Sequence, residues 1–176
     1  IIVTAGASAA LSLACVALVD PGDEVLLTDP SYPCNRHFVA AVDGVPVTVP
    51  VGPDTRFQMT EALLRGHWTG RTRGTLLASP ANPTGTSIPF AELARIVDTV
   101  RARGGFAMVD EIYLGLRYDL DPGESRVCSA LELGDDLIVT NSFSKYFSMT
   151  GWRLGWLVVP EALAPMFEKL AQNLYI

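Results

Sequence analysis

Lys145 stands in a serine-rich run, Asn141-Ser-Phe-Ser-Lys-Tyr-Phe-Ser148, and Arg153 follows in Met149-Thr-Gly-Trp-Arg-Leu-Gly155. Asp110 closes an apolar run, Phe106-Ala-Met-Val, and Tyr113 lies just beyond it. Asn82 opens Asn82-Pro-Thr-Gly85, Tyr32 sits in Asp29-Pro-Ser-Tyr-Pro33, and Thr4-Ala-Gly-Ala-Ser-Ala-Ala10 precedes a helical pattern. Each type has a plain chemical use. An amine adds to a carbonyl carbon, a carboxylate favours a cation beside it, and hydroxyl, amide and guanidinium groups bind anions. Together they suit an anionic heterocycle that bears an aldehyde.

The elements that must position these residues follow from hydrophobic patterning. Val25–Thr28, Val45–Val49, Thr75–Ser79, Phe106–Asp110 and Asp136–Asn141 are strand-length apolar runs bounded by Gly, Pro, Asp or Asn. Between them Phe90, Leu93, Ala94, Ile96, Val97 and Val100 recur at helical spacing, with Pro89 before them and Gly104-Gly105 after. A further helix is predicted from about Ser8 to Val19, stopped by Asp20-Pro-Gly22, and a helical pattern runs from Glu161 to the end. Strands buried on both faces and alternating with helices predict a three-layer α/β/α sandwich around a mostly parallel sheet. Leu154–Val159 follows too short a connection for a helical crossover and is expected to run antiparallel. In such sheets ligands sit beyond the carboxyl ends of the strands, and that one edge receives Tyr32, Asn82, Asp110, Ser142 and Lys145.

Of the 176 residues 49% are hydrophobic and 18% charged, and the mean hydropathy is +0.28, which excludes an intrinsically disordered chain. The length fits one domain. A net charge of −6 leaves no basic footprint for nucleic acid. No apolar stretch is long enough for a membrane span, and no signal peptide is visible. Cys15, Cys34 and Cys128 are widely spaced and read as reduced thiols, while His37 and His67 are too few for a metal centre and receive no role. Cys34 reads as a small buried hydrophobe, and Met149, Trp152 and Trp156 as core residues.

The run Asn141–Gly155 resembles the Schiff-base segment of the class I/II aminotransferases, the fold-type I enzymes that use pyridoxal 5'-phosphate. The blocks at Thr4–Ala10, Asp29–Pro33, Asn82–Gly85 and Asp110-Glu-Ile-Tyr113 match the same family in order. The resemblance implies that Lys145 forms the Schiff base and shuttles a proton, and that Asp110 pairs with the pyridine nitrogen. Tyr113 and Asn82 would donate to the ring's phenolate oxygen, with the Asn82–Pro83 bond a candidate for cis. Tyr32 and Ile112 would cover the two ring faces. The backbone N–H groups of Ala7 and Ser8, with Ser142 and Arg153, would hold the phosphate, Ser144 being the weaker candidate. It further implies a cytoplasmic homodimer acting on an amino acid and a 2-oxo acid, and no metal. A carbon–sulfur β-lyase and the non-catalytic aminotransferase-like domain of a transcription regulator share these residues and stay open.

By the same resemblance residues 1–176 are part of the cofactor-binding large domain. A small C-terminal domain, with the arginine that grips the substrate carboxylate, and an N-terminal segment would lie outside them. Residues 1–176 alone are therefore expected to turn over slowly or not at all, because substrate orientation supplies much of the rate. Transamination by this segment beside the full-length protein measures that, and comparable rates would contradict it.

Overall fold

The computed structural model describes residues 1–118, 120 and 125–175. Its strands are β1 (Ile2–Thr4), β2 (Glu24–Asp29), β3 (Val45–Pro50), β4 (Thr72–Ala78), β5 (Phe106–Asp110), β6 (Ile138–Ser142) and β7 (Gly155–Val158). The helices are α1 (Ala7–Leu18), α2 (Cys34–Ala40), α3 (Glu61–His67), α4 (Phe90–Ala102) and α5 (Ala164–Leu174). The strands form one sheet in the order β1-β7-β6-β5-β4-β2-β3. Neighbours from β6 to β3 are parallel, and β7 is antiparallel to both β6 and β1. The antiparallel turn at β7 and the two long helices lie where the sequence predicts them.

Alternation along the strands divides the core into two layers. Val25, Leu27, Leu76, Met108 and Ile138 pack against Leu11 of α1, Val39 of α2 and Phe167 of α5. Leu26, Leu77, Val109 and Val139 point the other way, onto Leu64 of α3 and Leu93 and Ile96 of α4. Helices therefore cover both faces, giving the predicted three-layer sandwich and explaining why these strands read as continuous apolar runs. The short β1, α2 and α3 carry too few residues to show a period. Trp152, expected in the core, is 71% exposed. It ends the 3-10 turn Thr150–Trp152, and Arg153 after it takes a left-handed backbone (φ 53°).

The chain order reverses between β2 and β4: β3 was added outward from β2, whereas β5 and β6 were added beyond β4. A crevice opens at the carboxyl ends of strands at such a reversal. One close backbone approach holds its rim. Gly155 pairs with Thr4 across β7 and β1, and a Cβ on Gly155 would lie 2.7 Å from the carbonyl carbon of Gly6. Gly155→Ala is accordingly expected to destabilise the fold by about 1–3 kcal/mol, because backbone rather than a flexible side chain has to give way. Urea unfolding measures it, and a variant as stable as the parent would contradict it.

Candidate active site

At the carboxyl edge of the sheet lies a cavity of about 230 Å³. Its base is formed by Ala78 and Asp110, register partners at the ends of β4 and β5. Tyr32 enters from the β2–α2 connection and Asn82 from the segment after β4. Ile112 and Tyr113 come from the chain after β5, and Ser144, Lys145, Thr150 and Arg153 from the β6–β7 connection. The first two turns of α1 close the cavity with Ala7, Ser8 and Leu11.

One end of this cavity is built for negative charge. Helix α1 starts at Gly6, which has φ 86°, carries no side-chain cap and has no acid in its first turn. Uncapped N–H groups at a helix start hold anions with the help of the helix dipole. The Arg153 guanidinium lies over this turn, for a Cβ on Gly6 would sit 2.5 Å from its Nη2. Nη1 donates to Thr150 O at 3.0 Å and to Ser144 Oγ at 3.4 Å, which aims the fork. Thr150 Oγ1 donates to Ser144 O at 2.7 Å and pins that loop. Glycine at position 6 thus serves two needs, a left-handed turn and room for a cation.

Ser142 and Ser144 have different places. Ser142 does not line the cavity: its buried Oγ donates to Leu154 O at 2.8 Å, accepts from Ser144 N–H at 3.1 Å and lies 2.9 Å from Ser144 Oγ. It supports Ser144, and Ser144 faces the cavity. The sequence ranks the two the other way because both serines precede the lysine, and only the return of the loop to Leu154 separates them.

The other pole is Asp110. Its residue is 8% exposed, and burial pushes the carboxyl up to about 6. The Ile112 N–H donates to Oδ1 at 3.0 Å and works the other way, while the neighbouring Glu111 adds to the rise. A carboxyl in this position favours a cationic partner. Lys145 reaches the same cavity, its Nζ 6.0 Å from the centroid of the Tyr113 ring. The chain's second lysine, Lys169, is on α5 and exposed. A hydrogen bond with Cys34, followed by partial burial, raises the Tyr32 hydroxyl above its ordinary range. The Asn82–Pro83 bond is cis, as are Asp29–Pro30 and Ser79–Pro80.

The structure thus brings Ala7, Ser8, Tyr32, Asn82, Asp110, Tyr113, Lys145 and Arg153 to one cavity, together with Ile112. Leu11, Ala78 and Thr150 join them without having been singled out in the sequence. The alternation of β4 places Ala78 on the Leu76 face, a signal legible once β4 is known to border β5. Donors for an anion at one end, a buried carboxyl at the other and an amine in the same space suit a ligand carrying an anion, a ring cation and a carbonyl carbon. The residues present fit pyridoxal 5'-phosphate on those grounds.

Fold and cavity define the class first: an open α/β sheet whose small-molecule site lies at the strand ends on both sides of a topological reversal. The family model for aminotransferase class I and II matches residues 1–176, and the chain belongs to that family. It is 42% identical over 176 residues to the valine–pyruvate aminotransferase of Mycobacterium tuberculosis, covering 100% of this chain and 44% of that protein. The crystal structure of an aminotransferase from Mycobacterium tuberculosis is similar with a TM-score of 0.91 at 42% identity, over 98% of this chain and 44% of that one. The aspartate aminotransferase of Thermotoga maritima gives a TM-score of 0.89 at 31% identity, over 98% and 45%. The chain thus spans less than half the length of these relatives.

The buried carboxyl has a consequence for stability. The folded protein binds the Asp110 proton more tightly than the unfolded chain does, so this group makes the fold less stable as pH rises from the ordinary carboxylate range to about 6. Asp110→Asn keeps the acceptor for Ile112 and removes the charge. Ligand-free Asp110→Asn is expected to gain about 1–3 kcal/mol over the parent at about pH 8 and much less at about pH 4, measured by urea unfolding. A variant less stable than the parent at about pH 8 would contradict this.

Proposed function

We propose that the protein carrying this chain is a pyridoxal 5'-phosphate-dependent aminotransferase that moves an amino group from an amino acid to a 2-oxo acid. The observation that carries the proposal is Lys145 in a cavity shared with buried Asp110 and with Arg153 over a bare helix start. Membership of the aminotransferase class I and II family supports it, as do relatives named for amino transfer.

When bound, pyridoxal 5'-phosphate supplies an aldehyde for amine exchange and an aromatic ring that accepts the electrons left by the departing α-proton. The chain's residues do the rest. The Ala7 and Ser8 N–H groups, Ser144 and Arg153 would hold the phosphate, with Ser142 bracing Ser144. Asp110 would hold a proton at the pyridine nitrogen by opposite charge. Tyr113 and Asn82 would donate to the phenolate oxygen, and Tyr32 and Ile112 would pack on the ring. The Lys145 amine would anchor the cofactor and hold and return the proton of the substrate α-carbon.

The finer partners belong to the same proposal. The chain serves as the cofactor-binding portion of a longer protein, since it spans 44% of its relatives. A homodimer is supported by apolar side chains left exposed beside the cavity, Tyr146, Phe147, Trp152 and Leu154. A cytoplasmic setting is supported by three free cysteines. Among the described residues no helix is long and apolar enough to cross a membrane.

Amino transfer by the full-length protein, with pyruvate as acceptor and a panel of amino acids as donors, tests the reading. Lys145→Ala is expected to lose at least ~10²-fold in kcat, the scale of a positioned acid–base group. Arg153→Leu should instead weaken retention of pyridoxal 5'-phosphate more than kcat of the loaded enzyme. A Lys145→Ala variant within about tenfold of the parent, on the scale of ~1.4 kcal/mol per decade, would contradict the reading.

A further inference from the structure

We propose that Gln58 is a positioning residue for Asn82: its side-chain amide clasps both ends of the segment 78–86 and so holds Asn82 at the cavity. Glutamine is mostly a surface residue, yet Gln58 is 3% exposed. Its Nε2 donates to Thr86 O at 2.6 Å and reaches Ala78 O and Thr86 Oγ1, each at 3.3 Å. Both carbonyls can only accept, so the nitrogen end of the amide must face them.

The sheet explains why a side chain is needed there. β2 and β4 stay in register only as far as Leu26 and Thr75, whereas β4 continues along β5 to Ala78. Ser79 N–H donates to Asp110 O at 3.0 Å. The Ala78 carbonyl belongs to the same planar trans peptide and points the opposite way, to the side that β2 has left. Gln58 supplies the donor that a neighbouring strand would have given. At the far end Thr86 O also accepts from Ala81 N–H at 2.9 Å, and Gly85 N–H donates to Ala81 O at 2.8 Å, so the amide lies across the base of a closed loop. Asn82 is in that loop and lines the cavity together with Ala78. Outside the loop Ile88 N–H donates to Ser79 Oγ at 3.0 Å, a tie that does not involve Gln58.

The connection between β3 and α3 delivers the amide. Gln58 follows the 3-10 turn Pro53–Thr55, and Arg56 and Phe57 before it have φ 57° and 56°. Two consecutive residues with side chains in the left-handed region are uncommon, and the chain passes through them to bury residue 58 beside the end of β4. The effect of Gln58 on the cofactor runs through Asn82 and rests on the aminotransferase reading, whereas the clasp itself does not.

Two arms separate those claims. In the ligand-free full-length protein, Gln58→Met keeps the length of the side chain and removes the donor. Amide hydrogen exchange at Ala81 and Gly85 is expected to quicken about fivefold, with the β5 amides within about twofold of the parent. Gln58→Glu, which lacks the N–H groups, should act in the same direction. With pyridoxal 5'-phosphate as probe, Gln58→Met should weaken binding about fivefold. It should also move the pH at which the bound cofactor's visible absorbance changes, in the direction that Asn82→Ala moves it. In an Asn82→Ala background the same substitution should weaken binding by less than about twofold and leave the absorbance change where Asn82→Ala puts it. Exchange at Ala81 and Gly85 as slow as in the parent, or a loss of binding that is equal with and without Asn82, overturns the proposal whatever the melting temperature does. Failure of the parent protein to bind pyridoxal 5'-phosphate would overturn the functional reading instead, while the exchange rates would still decide the role of Gln58.

Discussion

A carboxyl group shut into the end of a buried parallel strand is the constraint on which the rest of this site depends. Asp110 lies where water is largely excluded, and its ionised form is disfavoured until a positive charge meets it. The fold holds this group in readiness for a cationic ligand at some cost to its own stability. Everything around it compensates or exploits that position. The Ile112 N–H fixes one oxygen, β4 and β6 fix the strand, and the opposite end of the cavity gathers the cationic and N–H groups.

The sheet topology turns this local constraint into a polar axis. Helix α1 packs against β6 and β7, so its start and the β6–β7 connection border the same cavity. The α1 start and Arg153 set the anion-binding end, and β5 sets the carboxylate end. A ligand held between them is oriented by charge before any reaction occurs, and Lys145 stands in the same space. The small residues at Gly6 and Gly155 are the packing condition for this, since they let β1, β7 and the guanidinium close over one another.

Much of the fold was legible because its signals are long. The apolar run of β5, Phe106–Asp110, and the periodic helix α4 leave little choice of element, and Pro89 and Gly104 punctuate the latter. β1, with three residues, and α2 and α3, with seven each, fall below the length at which a period can be counted. At the site, residue types and motif order pointed to the lysine, the aspartate and the arginine. What the sequence did not separate was the division of labour between Ser142 and Ser144, which depends on a hydrogen bond to Leu154 across the loop. Trp152 misled for a related reason, since bulk alone suggested burial while the left-handed turn at Arg153 follows an outward-facing 3-10 turn.

The most direct measurement is borohydride reduction of the full-length protein after addition of pyridoxal 5'-phosphate, followed by peptide mapping. Stable label on Lys145, abolished by Lys145→Ala, is the expected result. Label confined to Lys169 or to any other amine, with Lys145 unmodified, would contradict the assignment of the cavity as the place where amine, ring cation and anion meet.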